Sequence, residues 1–280
     1  MTALKSMFTN RLIAPFAVLG AVFLVLAWTY DEKYAYYFVP CLVVAALLYI
    51  TSPQINWWWY TRNPPELSTE LRTFLERNHG YYQRLSDTEK RRFRGRIALF
   101  NMGTDWEPLA FPEDSLPPDV QIAISAQAVM LTFHREVFLF DAFEKVILFP
   151  RPFPTPEHPY DHASELHPGD GCLLFSAEQV MLAFVKPQQW YNVALHEYAK
   201  AFVLKYPSES WPALSEDSVW ETLHQVSGMP RTYVESVIGI QGVEALPVAI
   251  HHYFVFPERF AQAFPEANKV FSGIFAPTAT

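Results

Sequence analysis

Glycine, cysteine and positive charge are all scarce in this chain of 280 residues. Ten glycines exclude a collagen-like repeat. Two cysteines, Cys41 and Cys172, are too few for a disulfide framework or a cysteine-rich zinc knuckle, and if reduced they suit a cytoplasmic domain. Lys plus Arg number 21 against 29 Asp plus Glu, a formal net charge of -8, so no general basic surface is available and nucleic acid is not expected as a partner. No glycine-rich phosphate loop and no nucleophile elbow occurs. Apolar side chains are what the chain has in abundance. They make up 50% of it, too many for a disordered polymer, and they are unevenly spread.

From Leu12 to Tyr30 the sequence runs 19 residues without a charge. As a helix this is roughly 28 Å, close to the hydrocarbon thickness of a bilayer. Asp31, Glu32 and Lys33 interrupt, and an uncharged stretch resumes from Tyr34 to Thr61 with Phe38 to Ile50 as its apolar centre. The pattern predicts a transmembrane hairpin over residues 1–62, with spans near 12–30 and 34–52, and a lipid bilayer as the partner of residues 12–52. A cleaved signal peptide competes for the first stretch, but a second span follows at once and no small-residue cleavage site intervenes. Trp57, Trp58, Trp59 and Tyr60 stand where the second helix would leave the bilayer, a place that suits amphipathic rings. Lys5 and Arg11 precede the first span, Arg62, Arg72 and Arg77 follow the second, and the turn holds Lys33. That bias predicts an inner-membrane protein whose termini and soluble domain face the cytoplasm.

Asn63, Pro64 and Pro65 break any helix leaving the membrane and open a domain over residues 66–280. With the four basic and two acidic residues before it removed, this part holds 17 basic and 27 acidic residues, a net -10. Helices are expected over Glu66 to Asn78, from the capping-box pair Ser86 and Glu89 toward Phe100, and over Trp190 to Leu204. Gln121 to Phe133 is ambiguous between a buried helix and a strand. Val137 to Phe140, Lys145 to Phe149 and Leu173 to Ser176 read as short strands, and Pro150, Pro152, Pro154, Pro156 and Pro159 end the second. The last third is helical, broken at Gly228 to Pro230 and near Pro257. Strands in the middle with helices elsewhere make an α+β domain.

Three features invite ordinary readings. His158, Asp161, His162, Glu165, His167 and Asp170 fit no regular metal-ligand template and, with Pro159, Pro168 and Gly169, are expected to form a solvated loop. The basic run Lys90, Arg91, Arg92, Arg94 and Arg96 reads as a solvated helix face, with contact to anionic lipid as the alternative. The aromatic residues Tyr253, Phe254, Phe256, Phe260 and Phe264 have near-helical spacing and are expected in the core.

The informative segment is NVALHEYAKAF, Asn192 to Phe202. An HExxH helix places two imidazoles one turn apart to hold Zn2+ while the glutamate activates the metal-bound water. Here His196 and Glu197 are present, but Lys200 stands in place of the second histidine. An isolated His-Glu pair has poor specificity. The surrounding blocks add to it: FEKVILFPRPF from Phe143, CLLFSAEQVMLAF from Cys172, WYNVALHEYAKAF from Trp190, and VEALPVAIHHYFVFPERFAQAFPEANKVFSGIF from Val243. In order and approximate spacing these resemble the MtfA-like zinc-dependent peptidases over most of residues 68–275. The resemblance implies a zincin-like α+β metallopeptidase domain of gluzincin type. It also implies zinc as cofactor, a peptide substrate, His196 as ligand, Glu197 as general base and Glu244 as a further ligand. His251 falls where the family has its second helix glutamate, and the membrane hairpin is an addition.

Three states of the site remain open. Lysine as ammonium has no lone pair, and holding it neutral at pH 7 from a reference pKa of about 10.4 costs roughly 4 to 5 kcal/mol. Against the 10 to 16 kcal/mol, roughly, of a structural zinc site, ligation by Lys200 is weakened. The favoured state has the ammonium in the ion's place, paired with Glu197 or Glu244, in a catalytically impaired pseudoenzyme that acts by binding a protein partner. In the third, His251 or His252 supplies the missing imidazole; packing is the competing role for that pair.

Overall fold

The structure, a computed structural model, describes residues 7–111, 115–214 and 216–275; Lys5, used for orientation above, lies outside them. The chain divides into two compact units, residues 1–65 and 66–280.

In the first unit, α1 (Met7–Thr29) and α2 (Ala35–Ile50) are joined by a 3-10 turn over Glu32–Tyr34, which Asp31 caps by accepting from Lys33 N. Phe8–Thr29 and Glu32–Ile50 are long and apolar enough to cross a membrane. Only 6% of each apolar window is buried in the protein, unlike a soluble core helix. At Gly20 a Cβ would lie 3.5 Å from both Cys41 Cβ and the Phe38 ring, so the missing side chain lets the two helices approach. The second apolar stretch is not continuous through the tryptophans. It breaks at Thr51, and Pro53 sits in the first turn of a separate helix, α3 (Ser52–Arg62). This helix is tied to α1 by Asn56, whose Oδ1 accepts from Thr9 Oγ1 at 2.6 Å and from Thr9 N at 3.0 Å, and by the stacked rings of Phe8 and Trp59.

The second unit begins with α4 (Thr69–Asn78), α5 (Gly80–Arg84) and α6 (Asp87–Gly103). The Ser86 and Glu89 capping box is formed at the start of α6. Strand β1 (Asp105–Pro108) then leads to α7 (Pro118–Leu131), which resolves the ambiguous apolar stretch as a helix buried along nearly its whole length. After it come β2 (Lys145–Phe149), β3 (Ser164–His167), β4 (Cys172–Ser176), α8 (Ala177–Val185) and α9 (Val193–Lys205). Among the described residues five helices follow: α10 (Glu216–Ser227), α11 (Arg231–Ile238), α12 (Ala245–Val255), α13 (Pro257–Ala263) and α14 (Pro265–Phe275). The sheet order is β1-β2-β4-β3, parallel except for the antiparallel edge strand β3. The result is the expected α+β domain, with α9 in the core among α7, α12 and the sheet.

Three expectations are corrected. Val137 to Phe140 is not a strand, because side chains take its carbonyls: Tyr206 Oη donates to Val137 O, Thr132 Oγ1 to Phe138 O and Lys205 Nζ to Leu139 O. The basic run is not a uniformly solvated face. Arg96 is buried and donates to the carbonyls of Thr132, Phe133 and Arg135, while Arg94 donates to Tyr82 Oη and Lys90 pairs with Glu76. Nor is 158–170 simply a solvated loop, since Ser164 to His167 forms β3 and both His162 and Glu165 are buried.

Candidate active site

Helix α9 starts where Asn192 caps it, its Oδ1 accepting from Leu195 N at 3.0 Å. One turn in, His196 and Glu197 are both buried, flanked by Ala194, Leu195, Tyr198 and Ala199, so the pair stands in a dry interior. Burial pushes the His196 imidazole down to about 4, against a smaller upward pull from Glu197, so the ring is neutral at pH 7. Its Nδ1 lies 2.7 Å from Tyr191 Oη. Tyr191, fully buried two residues before the helix, also stacks on His251 of α12 with ring centroids 4.2 Å apart.

Glu197 has a different pair of partners. Ser164 Oγ, from the edge strand β3, donates to Oε1 at 2.9 Å. Lys200 Nζ lies 2.7 Å from Oε2, one turn along the same helix. The approach is a charge contact and not an aligned hydrogen bond, since Oε2 is buried without a hydrogen-bond donor. Burial pushes the Glu197 carboxyl up, but the Lys200 ammonium, helped by the Ser164 hydroxyl, outweighs it and leaves it below the ordinary carboxylate value. Glu197 is therefore a carboxylate at neutral pH, neutralised by a lysine whose side chain is 34% exposed.

The remaining sequence candidates stand elsewhere. Glu244 is exposed at the N-cap of α12 and makes no side-chain capping bond. His251 is buried; its Nε2 accepts from Asn192 N–H at 3.1 Å, which ties α12 to the start of α9, and its Nδ1 faces His252 Nδ1 at 3.4 Å. His252 Nδ1 donates to Val248 O at 2.8 Å. Among the described residues, His196 forms no group of three His, Cys, Asp or Glu donor atoms within 4.8 Å of one another. A zinc ion therefore does not fit the donor set at α9 as it stands: one neutral imidazole is in place, a cation already contacts Glu197, and the acidic candidate Glu244 is at an exposed helix end.

Two side chains that shape this site, Tyr191 and Ser164, escaped the sequence reading. Tyr191 carries a usable signal, an aromatic hydroxyl just before the helix cap. Ser164 carries none, because nothing local marks which strand residue will face α9.

No curated protein sequence matches this one. The α+β domain and the sequence blocks around the His196 helix agree with one finding at the family level. The description of glucose-regulated metallo-peptidase M90, the MtfA family, matches residues 55–276, and the chain belongs to that family.

Proposed function

We propose that this metallopeptidase-family protein is anchored in a membrane by its N-terminal helices, is catalytically silent, and acts by binding a protein partner. The observation that carries the reading is the 2.7 Å contact between Lys200 Nζ and Glu197 Oε2. In an HExxH enzyme the glutamate takes a proton from metal-bound water. Here its charge is neutralised by an ammonium that has no lone pair to offer a metal. A buried carboxylate without a cation would be strongly destabilising, so the lysine supplies the compensation that the ion and its water would otherwise give.

One observation favours the alternative, an active zinc peptidase using His196, Glu244 and either Lys200 or His251. His196 Nδ1 lies 2.7 Å from Tyr191 Oη, and in the tautomer whose Nδ1–H donates to that oxygen Nε2 keeps its lone pair for a metal. The two readings separate on metal content and activity. Purified full-length protein and a Lys200→His variant are assayed for Zn2+ that depends on His196 and for hydrolysis of peptide substrates. Zn2+ in the variant alone supports replacement of the ion by lysine; His196-dependent Zn2+ in both supports the enzyme.

The membrane anchor rests on two exposed apolar helices of spanning length. Arg11, Arg62, Arg72 and Arg77 flank the spans against Lys33 in the turn, which supports cytoplasmic termini and a cytoplasmic peptidase-like domain.

A further inference from the structure

Ser164 and Glu165 are neighbours on β3 and point to opposite faces, as alternation along a strand requires. Ser164 reaches Glu197. Glu165 and His167 share the other face with Cys172 and Leu174, their partners on β4, and with an apolar patch that includes Phe153. Over this face folds the loop between Phe153 and His162, closed by two backbone hydrogen bonds of 3.0 Å between those residues.

The loop surrounds the buried Glu165 carboxylate with nitrogen and oxygen donors. On one side, Oε2 accepts from Thr155 Oγ1 at 2.8 Å and lies 3.0 Å from His162 Nε2. The other ring nitrogen of His162 is 3.0 Å from Tyr160 O, which fixes the ring. On the other side, Oε1 lies 3.0 Å from His167 Nε2 and 3.6 Å from His158 Nε2. Glu157 brings a second carboxylate, so that donor atoms of Glu157, Glu165 and His167 all lie within 4.8 Å of one another. Two carboxylates so close repel, and a cation placed between them would relieve that repulsion. Around a tetrahedral ion with bonds of about 2.0 to 2.2 Å, neighbouring donors are roughly 3.3 to 3.5 Å apart, so the 3.0 Å between Glu165 Oε1 and His167 Nε2 needs to open by only a few tenths of an ångström to admit one.

We propose that Glu165 Oε1, His167 Nε2 and Glu157 bind a divalent transition-metal cation of the zinc class, with a fourth position left to water. Imidazole mixed with carboxylate selects such an ion over Mg2+ or Ca2+. Thr155 and His162 hold the far oxygen of Glu165 and aim the near one at the ion. The ion clamps the 153–162 loop onto the edge strand, and the site shares no residue with the His196 helix.

The test titrates Zn2+ into chelator-stripped, detergent-solubilised full-length protein by calorimetry, with thermal melts alongside. His167→Ala and Glu157→Ala change partly or fully exposed residues and leave the buried Glu165 in place. One Zn2+ per chain is expected in the wild type, lost in His167→Ala, at least 10-fold weaker in Glu157→Ala, and about 10- to 100-fold weaker in Thr155→Val. Zn2+ is expected to raise the melting temperature of the wild type but not of His167→Ala. Binding that survives in His167→Ala, or no binding by the wild type, overturns the proposal. Zn2+ lost in His196→Gln but kept in His167→Ala overturns it and the lysine replacement at α9 together, whereas the reverse pattern supports both.

Discussion

The hydroxyl of Ser164 donates to Glu197 Oε1 across 2.9 Å, linking the edge strand β3 to the helix that carries His196 and Lys200. With the ammonium of Lys200 on the other oxygen, the buried carboxylate is held from two elements at once. In this geometry Glu197 serves as the buried counter-ion of a lysine, and its removal or exposure has predictable consequences.

Replacing Lys200 by Met leaves Glu197 as an uncompensated buried charge. Breaking a fully buried pair costs roughly 3 to 5 kcal/mol; because Lys200 is a third exposed, about 2 kcal/mol is expected, seen as a lower melting temperature. Adding Glu197→Gln to Lys200→Met should recover much of that loss, because an amide carries no charge. A double-mutant cycle showing purely additive effects would contradict the pairing.

Stability should fall as the solution is acidified from pH 6.5 toward 4. The His196 and His252 imidazoles are buried neutral with values near 4, burial being the main cause for each, and His251 is held well below the ordinary histidine value by burial and by its neighbouring His252. Each folded value lies below that of the unfolded chain, so the unfolded state binds more protons in this window and stability rises with pH through it. Glu197, depressed by its partners, adds a loss below its ordinary carboxylate value. Denaturation midpoints measured from pH 8 to 4 should be level above 7 and then decline; a flat profile down to pH 4.5 would count against buried neutral imidazoles.

Tyr191→Phe keeps the ring stacked on His251 and deletes only the hydroxyl beside His196 Nδ1. A buried imidazole nitrogen left without its partner costs about 1 to 3 kcal/mol. Loss of stability with unchanged helicity by circular dichroism is the expected result, and an unaltered melting temperature the contrary one.

A topology reporter fused after Thr280, and another placed in the turn at Lys33, should read opposite sides of the membrane, with Thr280 cytoplasmic. Gly20→Leu should weaken the hairpin, because side-chain atoms beyond a Cβ already 3.5 Å from Cys41 and Phe38 meet α2. A periplasmic reading at Thr280 would reverse the assigned orientation.

Much of the fold was legible because its signals are local. The Ser86 and Glu89 cap, the apolar spans and the helix after Asn192 each depend on residues within a turn or two of one another. Val137 to Phe140 misled because its apolar, β-compatible side chains fit a strand while its carbonyls were claimed by Thr132, Lys205 and Tyr206 from elsewhere in the chain. β1 is short, and its place is fixed by pairing with β2, which is distant in sequence. At the candidate site the HExxK departure was visible in sequence, while Ser164 could be assigned to Glu197 only once β3 was seen against α9. The histidine-rich stretch after Pro156 lacks a regular ligand spacing because its donors converge through a loop folding over a strand, a geometry with no fixed sequence period.

The account's central claim is that the Lys200 ammonium occupies the cation's role at α9. It is tested most directly by measuring bound zinc in full-length protein carrying His167→Ala, with and without Lys200→His, so that only the α9 site is counted. The account predicts no stoichiometric zinc with Lys200 in place and close to one ion per chain once histidine replaces it. Close to one zinc per chain with Lys200 present, lost on His196→Gln, would contradict it.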